Sequence, residues 1–135
     1  MSFQLHPRLE QDCIAIGRFE LCRLLMMNDS QYPWFILVPE RADLQEIYQL
    51  NKAERELLTE ESSYLAENLA NLYQADKMNI AAIGNLVPQL HIHHIVRYQT
   101  DKAWPAPIWG KFATVPYTEQ QIRDNLARVK DQLKM

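Results

Sequence analysis

Apolar and polar positions along this chain follow two rhythms, and the rhythms mark out its elements. Short runs rich in branched and aromatic residues read as strands: 14–17, 21–27, 34–38, 77–83 and 89–98. The run Trp34-Phe35-Ile36-Leu37-Val38 is apolar on both faces, which predicts a central strand. Helical spacing appears elsewhere. Leu58, Leu65, Leu69 and Leu72 form one stripe, in a helix opened by Asn51 and Glu54 and running to about Ala75. Ile122, Leu126, Val129 and Leu133 form another, behind a Thr118/Gln121 cap, for a helix over about 118–133. A short helix is expected within 5–12, and Asp43 with Glu46 predicts a capping box for a second one ending near Leu50. Hairpins with segregated helices predict an α+β fold with a mainly antiparallel sheet.

At 135 residues the chain predicts a single domain spanning 1–135, with a core over about 10–110. A net charge of -3 argues against non-specific nucleic-acid binding through a basic surface. The N-terminus lacks a basic, then apolar, leader, and no apolar run reaches membrane-spanning length, so the expected location is cytoplasmic, away from membranes. Cys13 and Cys22 lie in no CxxC pair and read as free thiols in a reducing compartment.

The chemistry concentrates in Gln89-Leu90-His91-Ile92-His93-His94-Ile95-Val96-Arg97-Tyr98, which holds three of the four histidines. On a strand, Gln89, His91, His93 and Ile95 share one face, and Leu90, Ile92, His94 and Val96 share the other. Residues two apart are roughly 6.5–7 Å apart along the strand. His94 therefore reads as a structural histidine in the helix-packed layer. Three readings remain for the His91/His93 row. A metal site needs further ligands, and His6, Cys13, Cys22 and scattered carboxylates offer no recognisable spacing. Nucleophilic catalysis suits imidazole, which is largely uncharged at neutral pH and can attack phosphorus to give a phosphoramidate. The third reading is an inert polar patch.

His91-Ile92-His93 in an alternating strand, followed by Ile95 and Arg97, resembles the histidine triad (HIT) motif, His-φ-His-φ-His-φ-φ. Asn79 through Tyr98 resembles a bacterial branch whose strand reads Asn-x-x-x-x-Gly-Asn-x-x-Pro-Gln-Leu-His-φ-His. That branch also carries a Trp-Pro-x-Pro-φ-Trp-Gly segment, matched by residues 104–110. The resemblance implies a HIT-like five-stranded sheet with a long helix packed on it, usually as a homodimer. It also implies nucleotide binding, with cleavage or transfer at the α-phosphate. Carried over by position, His91 is the nucleophile and His93 contacts the phosphate. Asn28, at a strand end, would bind ribose, and Asn85 would make a phosphate-side contact. The histidine chemistry itself requires no metal or cofactor.

Two positions depart from the family. The first triad position is Gln89, which can orient a neighbour but cannot titrate. Many relatives have a histidine two residues after the third strand's proline, where this chain has Phe35. The expectation is thus a nucleotide hydrolase or nucleotidyl transferase working through His91, His93 and Gln89. Its substrate would be a nucleotide or a dinucleoside-polyphosphate-like molecule. The alternative is a nucleotide-binding or sensing module with little turnover. Trp34 is expected in the core, while Trp104 and Trp109 are left between a lid over the site and a dimer contact.

Overall fold

The computed structural model describes residues 2–135. In chain order the elements are α1 (Pro7–Asp12), β1 (Cys13–Arg18), β2 (Cys22–Met27), β3 (Trp34–Pro39), a one-turn 3-10 helix (Ile47–Gln49), α2 (Lys52–Tyr73), β4 (Lys77–Ala82), β5 (Ile92–Arg97) and α3 (Glu119–Leu133). The five strands form one sheet in the order β1-β2-β3-β5-β4, and every neighbouring pair is antiparallel. The α+β class and the central place of the Trp34 run are as the pattern predicts. All six residues of β3 are buried, and so are all six of β5.

Each sheet face has its own apolar layer. Leu24, Met26, Phe35, Leu37, Ile92 and Val96 face α2, where they meet Leu58, Leu65 and Leu69. Val129 and Leu133 of α3 join the same layer. Leu25, Trp34, Ile36, Val38 and Ile95 face the other way, covered by Leu9 of α1 and by Ala103 and Ile108. The caps of the two long helices form as the sequence implies. Asn51 Oδ1 accepts from Glu54 N, and Glu54 Oε1 accepts from Asn51 N. Thr118 and Gln121 exchange the same pair of bonds.

The capping expected at Asp43 lies elsewhere. Asp43 sits at φ 55, a left-handed turn position that an N-cap does not adopt. The helical turn starts after Glu46, and Gln49 Oε1 accepts from both Gln45 N and Glu46 N. The histidine strand is also shorter than the 89–98 run. Its ladder begins at Ile92, the residue opposite both Leu37 and Ala82, so His91 lies just beyond the last paired position.

Glu61 is a feature the leucine stripe leaves out. It fills the gap between Leu58 and Leu65, on the buried face of α2, and is only 6% exposed. Its two oxygens accept from Leu21 N (2.8 Å) and Cys22 N (2.9 Å), where β2 begins. This joins the long helix to the β1-β2 turn through two backbone donors that would otherwise be buried unpaired. Replacing Glu61 by Ala should cost about 2–4 kcal/mol, because both donors lose a charged acceptor. Urea denaturation of the two proteins at pH 7 tests this, and a loss below about 0.5 kcal/mol would show that water replaces the carboxylate freely.

Candidate functional site

The site is built where β5 emerges from the sheet. His93 lies inside the ladder, opposite Ile36 on one side and Ala81 on the other. His91 stands one step outside it, and the two rings lie 4.8 Å apart, edge to face. The period-2 geometry thus places both on one face, as the alternation requires. His94 points the opposite way into the α2 layer. Its Nδ1 donates to Ile92 O (3.0 Å), and its Nε2 accepts from the hydroxyl of Ser62 on α2 (2.7 Å). It is a structural histidine fully enclosed by the helix.

Each site ring has one nitrogen committed. His91 Nδ1 lies 2.7 Å from Gln89 O. A carbonyl only accepts, so Nδ1 carries the proton and Nε2 is the bare nitrogen of the neutral ring. His93 Nδ1 receives the indole N–H of Trp34 at 2.9 Å. Trp109 stands edge-on to both neighbours, 5.3 Å from the His93 ring and 6.4 Å from Trp34. The Trp-rich segment therefore forms a wall of the site. Trp104 lies apart from it, over the guanidinium of Arg97.

Burial dominates the electrostatics. Desolvation holds His91 below its usual value of 6.5, partly offset by the bond to Gln89 O. It holds His93 at about 3, with His91 and His94 adding like-charge pressure, and His94 at about 4. All three rings are neutral at pH 7.

Gln89 contributes differently from its expected role. Its carboxamide Oε1 accepts from His6 N (2.8 Å), and its Nε2 donates to Gln4 O (2.8 Å). The side chain clamps the N-terminal segment, and it is the backbone carbonyl of Gln89 that orients His91. Phe35 lies opposite His94 and faces the helix layer against Tyr73, so it is not the β3 residue that bonds the His91/His93 pair. That residue is Trp34, one position earlier, because successive residues of β3 face opposite ways.

The two asparagines are not brought beside the rings. Asn28 Oδ1 accepts from Tyr117 N (2.9 Å), and Asn28 lines a small cleft with Asp12, Thr114 and Pro116. Asn85 is exposed on the loop between β4 and β5. His91 itself lines a cleft of about 680 Å³ with Gly84, Leu90, Tyr48 and Arg55. Among the described residues no three His, Cys, Asp or Glu side chains converge as a metal set, and no helix is long and apolar enough to cross a membrane. Cys13 and Cys22 are free, and burial raises the Cys13 thiol to about 12.

The depressed histidines make folding pH-dependent. In the unfolded chain they protonate near 6.5, while in the folded chain His93 and His94 resist protonation down to about 3 and 4. Their contribution is complete above pH 6.5 and is lost as pH falls, because the unfolded state binds the extra protons. Stability should fall on the order of 2 kcal/mol between pH 7 and 5.5, with a smaller slope in His94→Asn. Denaturant titrations across that window would show a flat profile if these rings were not buried neutral.

The comparisons with known proteins agree with this architecture. The HIT domain model matches residues 8–100. A histidine triad protein from Marinobacter aquaeolei VT8 shares 50% identity over 99% of this chain and 98% of its own, with a TM-score of 0.97. A histidine triad protein from Sinorhizobium meliloti 1021 shares 42% identity over 96% of each chain, with a TM-score of 0.94. One from Bradyrhizobium japonicum shares 38% over 98% of this chain and 99% of its own, at a TM-score of 0.96. No curated protein matches the chain significantly. With the family model covering well over half its length and these near-full-length likenesses, the chain belongs to the histidine triad (HIT) family.

Proposed function

We propose that the protein is a nucleotide hydrolase or nucleotidyl transferase that uses His91 to attack an α-phosphate. The observation that supports this most directly is the bond from His91 Nδ1 to Gln89 O, which leaves Nε2 as the bare nitrogen of a neutral ring that lines a cleft. In the first step Nε2 forms an N–P bond, the bond from phosphorus to the leaving oxygen breaks, and the leaving group carries away the electron pair. The positive charge that develops on the ring is shared with the proton on Nδ1, which Gln89 O already accepts. In the second step a water or another acceptor hydroxyl attacks phosphorus and releases its proton to solvent, the N–P bond breaks with its electron pair returning to Nε2, and His91 is again neutral. His93 would donate to the phosphoryl oxygens, steadying the charge as it shifts. Asn85, at the loop that borders the His91 cleft, is the proposed phosphate-side contact. Asn28 is the proposed ribose contact, which requires the substrate to reach past α1.

A panel of adenylated substrates followed by intact-protein mass and by product release tests the reading. A nucleotidyl adduct or turnover present in wild type and lost by at least about 10³-fold in His91→Ala and His91→Gly is the expected result. Nucleotide binding without adduct or product would instead mark a binding or sensing module. Because His91 is held below 6.5, the acid limb of the rate profile should lie below that pH. A limb centred at or above 6.5 would assign the titration to another group.

We also propose a homodimer formed through β4. This strand is an edge of the sheet, and Ile80 (49% exposed), Ile83 and Leu86 (89% exposed) lie on or just after it. Ile47 and Tyr48 add exposed apolar surface across the His91 cleft. Long apolar edges are usually paired or covered. Light scattering should return twice the 15.9 kDa chain mass for wild type and the single-chain mass for Ile80→Lys. A monomeric wild type at micromolar concentration would remove the proposal.

A further inference from the structure

We propose that Trp34 is a positioning residue of this site. By donating its indole N–H to His93 Nδ1, it fixes His93 in the Nε2–H form, so that the ring meets the substrate as a neutral donor. The catalytic consequence rests on the function proposed above, but the tautomer does not.

The argument is one of donor and acceptor inventory. An indole nitrogen donates and never accepts. The imidazole nitrogen facing it at 2.9 Å must therefore be bare. A neutral imidazole has one proton, which is left to Nε2. Protonating His93 would set an N–H against the indole N–H, so the contact favours the neutral ring, in the same direction as burial. His91 is held in the opposite form, because its partner is a carbonyl. Two adjacent imidazoles on one strand are thus given different chemistry by different partners: a bare Nε2 on His91 and an Nε2–H on His93.

The surroundings leave Trp34 as the group that sets this tautomer. His93 is flanked in the sheet by Ile36 and Ala81, neither of them polar. Trp109 closes the side facing the Trp-rich segment without charge. The titratable groups that act on it are His91, next on its own face, and His94 on the far face of the same strand. Trp34 is 7% exposed, and among the described residues His93 is its indole's one hydrogen-bond partner. A titratable side chain at position 34 could change the form of His93 with pH, whereas an indole holds one form throughout.

The test is the protonation pattern of His93 in the full-length protein labelled with ¹⁵N-histidine, read by long-range ¹H–¹⁵N correlation. Its signals are assigned by their loss in His93→Gln. Wild type should show the neutral Nε2–H form from pH 7.5 down to 5. Trp34→Phe keeps an aromatic ring at the site and removes the donor together with the five-membered part of the indole. It should give mixed tautomers across the same pH range. Turnover of the best adenylated substrate should fall about 10-fold in kcat for Trp34→Phe, with KM within about twofold. An Nδ1–H form in wild type, or an unchanged pattern in folded Trp34→Phe, overturns the assignment. If Trp34→Phe does not fold, the wild-type spectrum alone decides. The expected tautomer without any turnover would sink the hydrolase reading and leave the Trp34 assignment standing.

Discussion

A buried imidazole needs a partner for each nitrogen that water cannot reach, and that constraint shapes the middle of this protein. β5 is covered on both faces, yet two of its residues, and the residue just before it, are histidines. Where water cannot reach a ring nitrogen, the protein must bond it. It does so with four different groups: the Ser62 hydroxyl and Ile92 carbonyl for His94, the Gln89 carbonyl for His91, and the Trp34 indole for His93. Among the described residues the Nε2 nitrogens of His91 and His93 are left without a protein partner, and that of His91 is the proposed nucleophile. Structural satisfaction and chemical availability are therefore two sides of one accounting.

The same economy governs the supports further out. Arg97, at the end of β5, is 1% exposed and pairs with Asp101 through two bonds while also donating to Asn79 Oδ1 on β4. Asp101 in turn accepts from the backbone of Tyr98, Ala103 and Trp104, which starts the segment that carries Trp109 to His93. A charge pair this deep stabilises the fold only when its remaining bonding capacity is filled, and here the chain's own turn fills it. The result links the far end of the histidine strand to the wall of the site. Glu61 plays a comparable part on the opposite face, where a carboxylate inside a leucine stripe holds the start of β2.

Much of this was legible in the order of residues, because the local rules and the tertiary structure agree. The central strand, both long helices and their caps follow from periodicity and from Asn51, Glu54, Thr118 and Gln121. The division of His91 and His93 from His94 follows from alternation alone. What failed did so where non-local contacts decide. Asp43 carries a helix-cap signal but sits in a left-handed turn, and Gln49 bonds the backbone instead. The histidine run reads as ten strand residues, but its pairing with both neighbours stops at Ile92, opposite Leu37 on β3 and Ala82 on β4. Glu61 looks like an exposed helix residue until the gap in the leucine stripe is noticed. Counting two residues on from Pro33 reached Phe35, which strand alternation turns towards the helices, and passed over Trp34.

Gln89 shows how a residue can leave a site's chemistry while keeping its geometry. A neutral histidine has one donor and one acceptor on a rigid ring, and a carboxamide has the same pair on a flexible arm. Gln89 uses both on the backbone of residues 4 and 6, drawing the N-terminal segment against the approach to the histidines. His6, held there by its own N–H, also caps α1 through Nδ1, so the clamp fixes where the first helix starts. The orientation of His91 is meanwhile supplied by the main chain at the same residue, which no substitution of the side chain removes directly. Gln89 has thus divided its work: its backbone carbonyl bonds the His91 ring, and its side chain serves the fold.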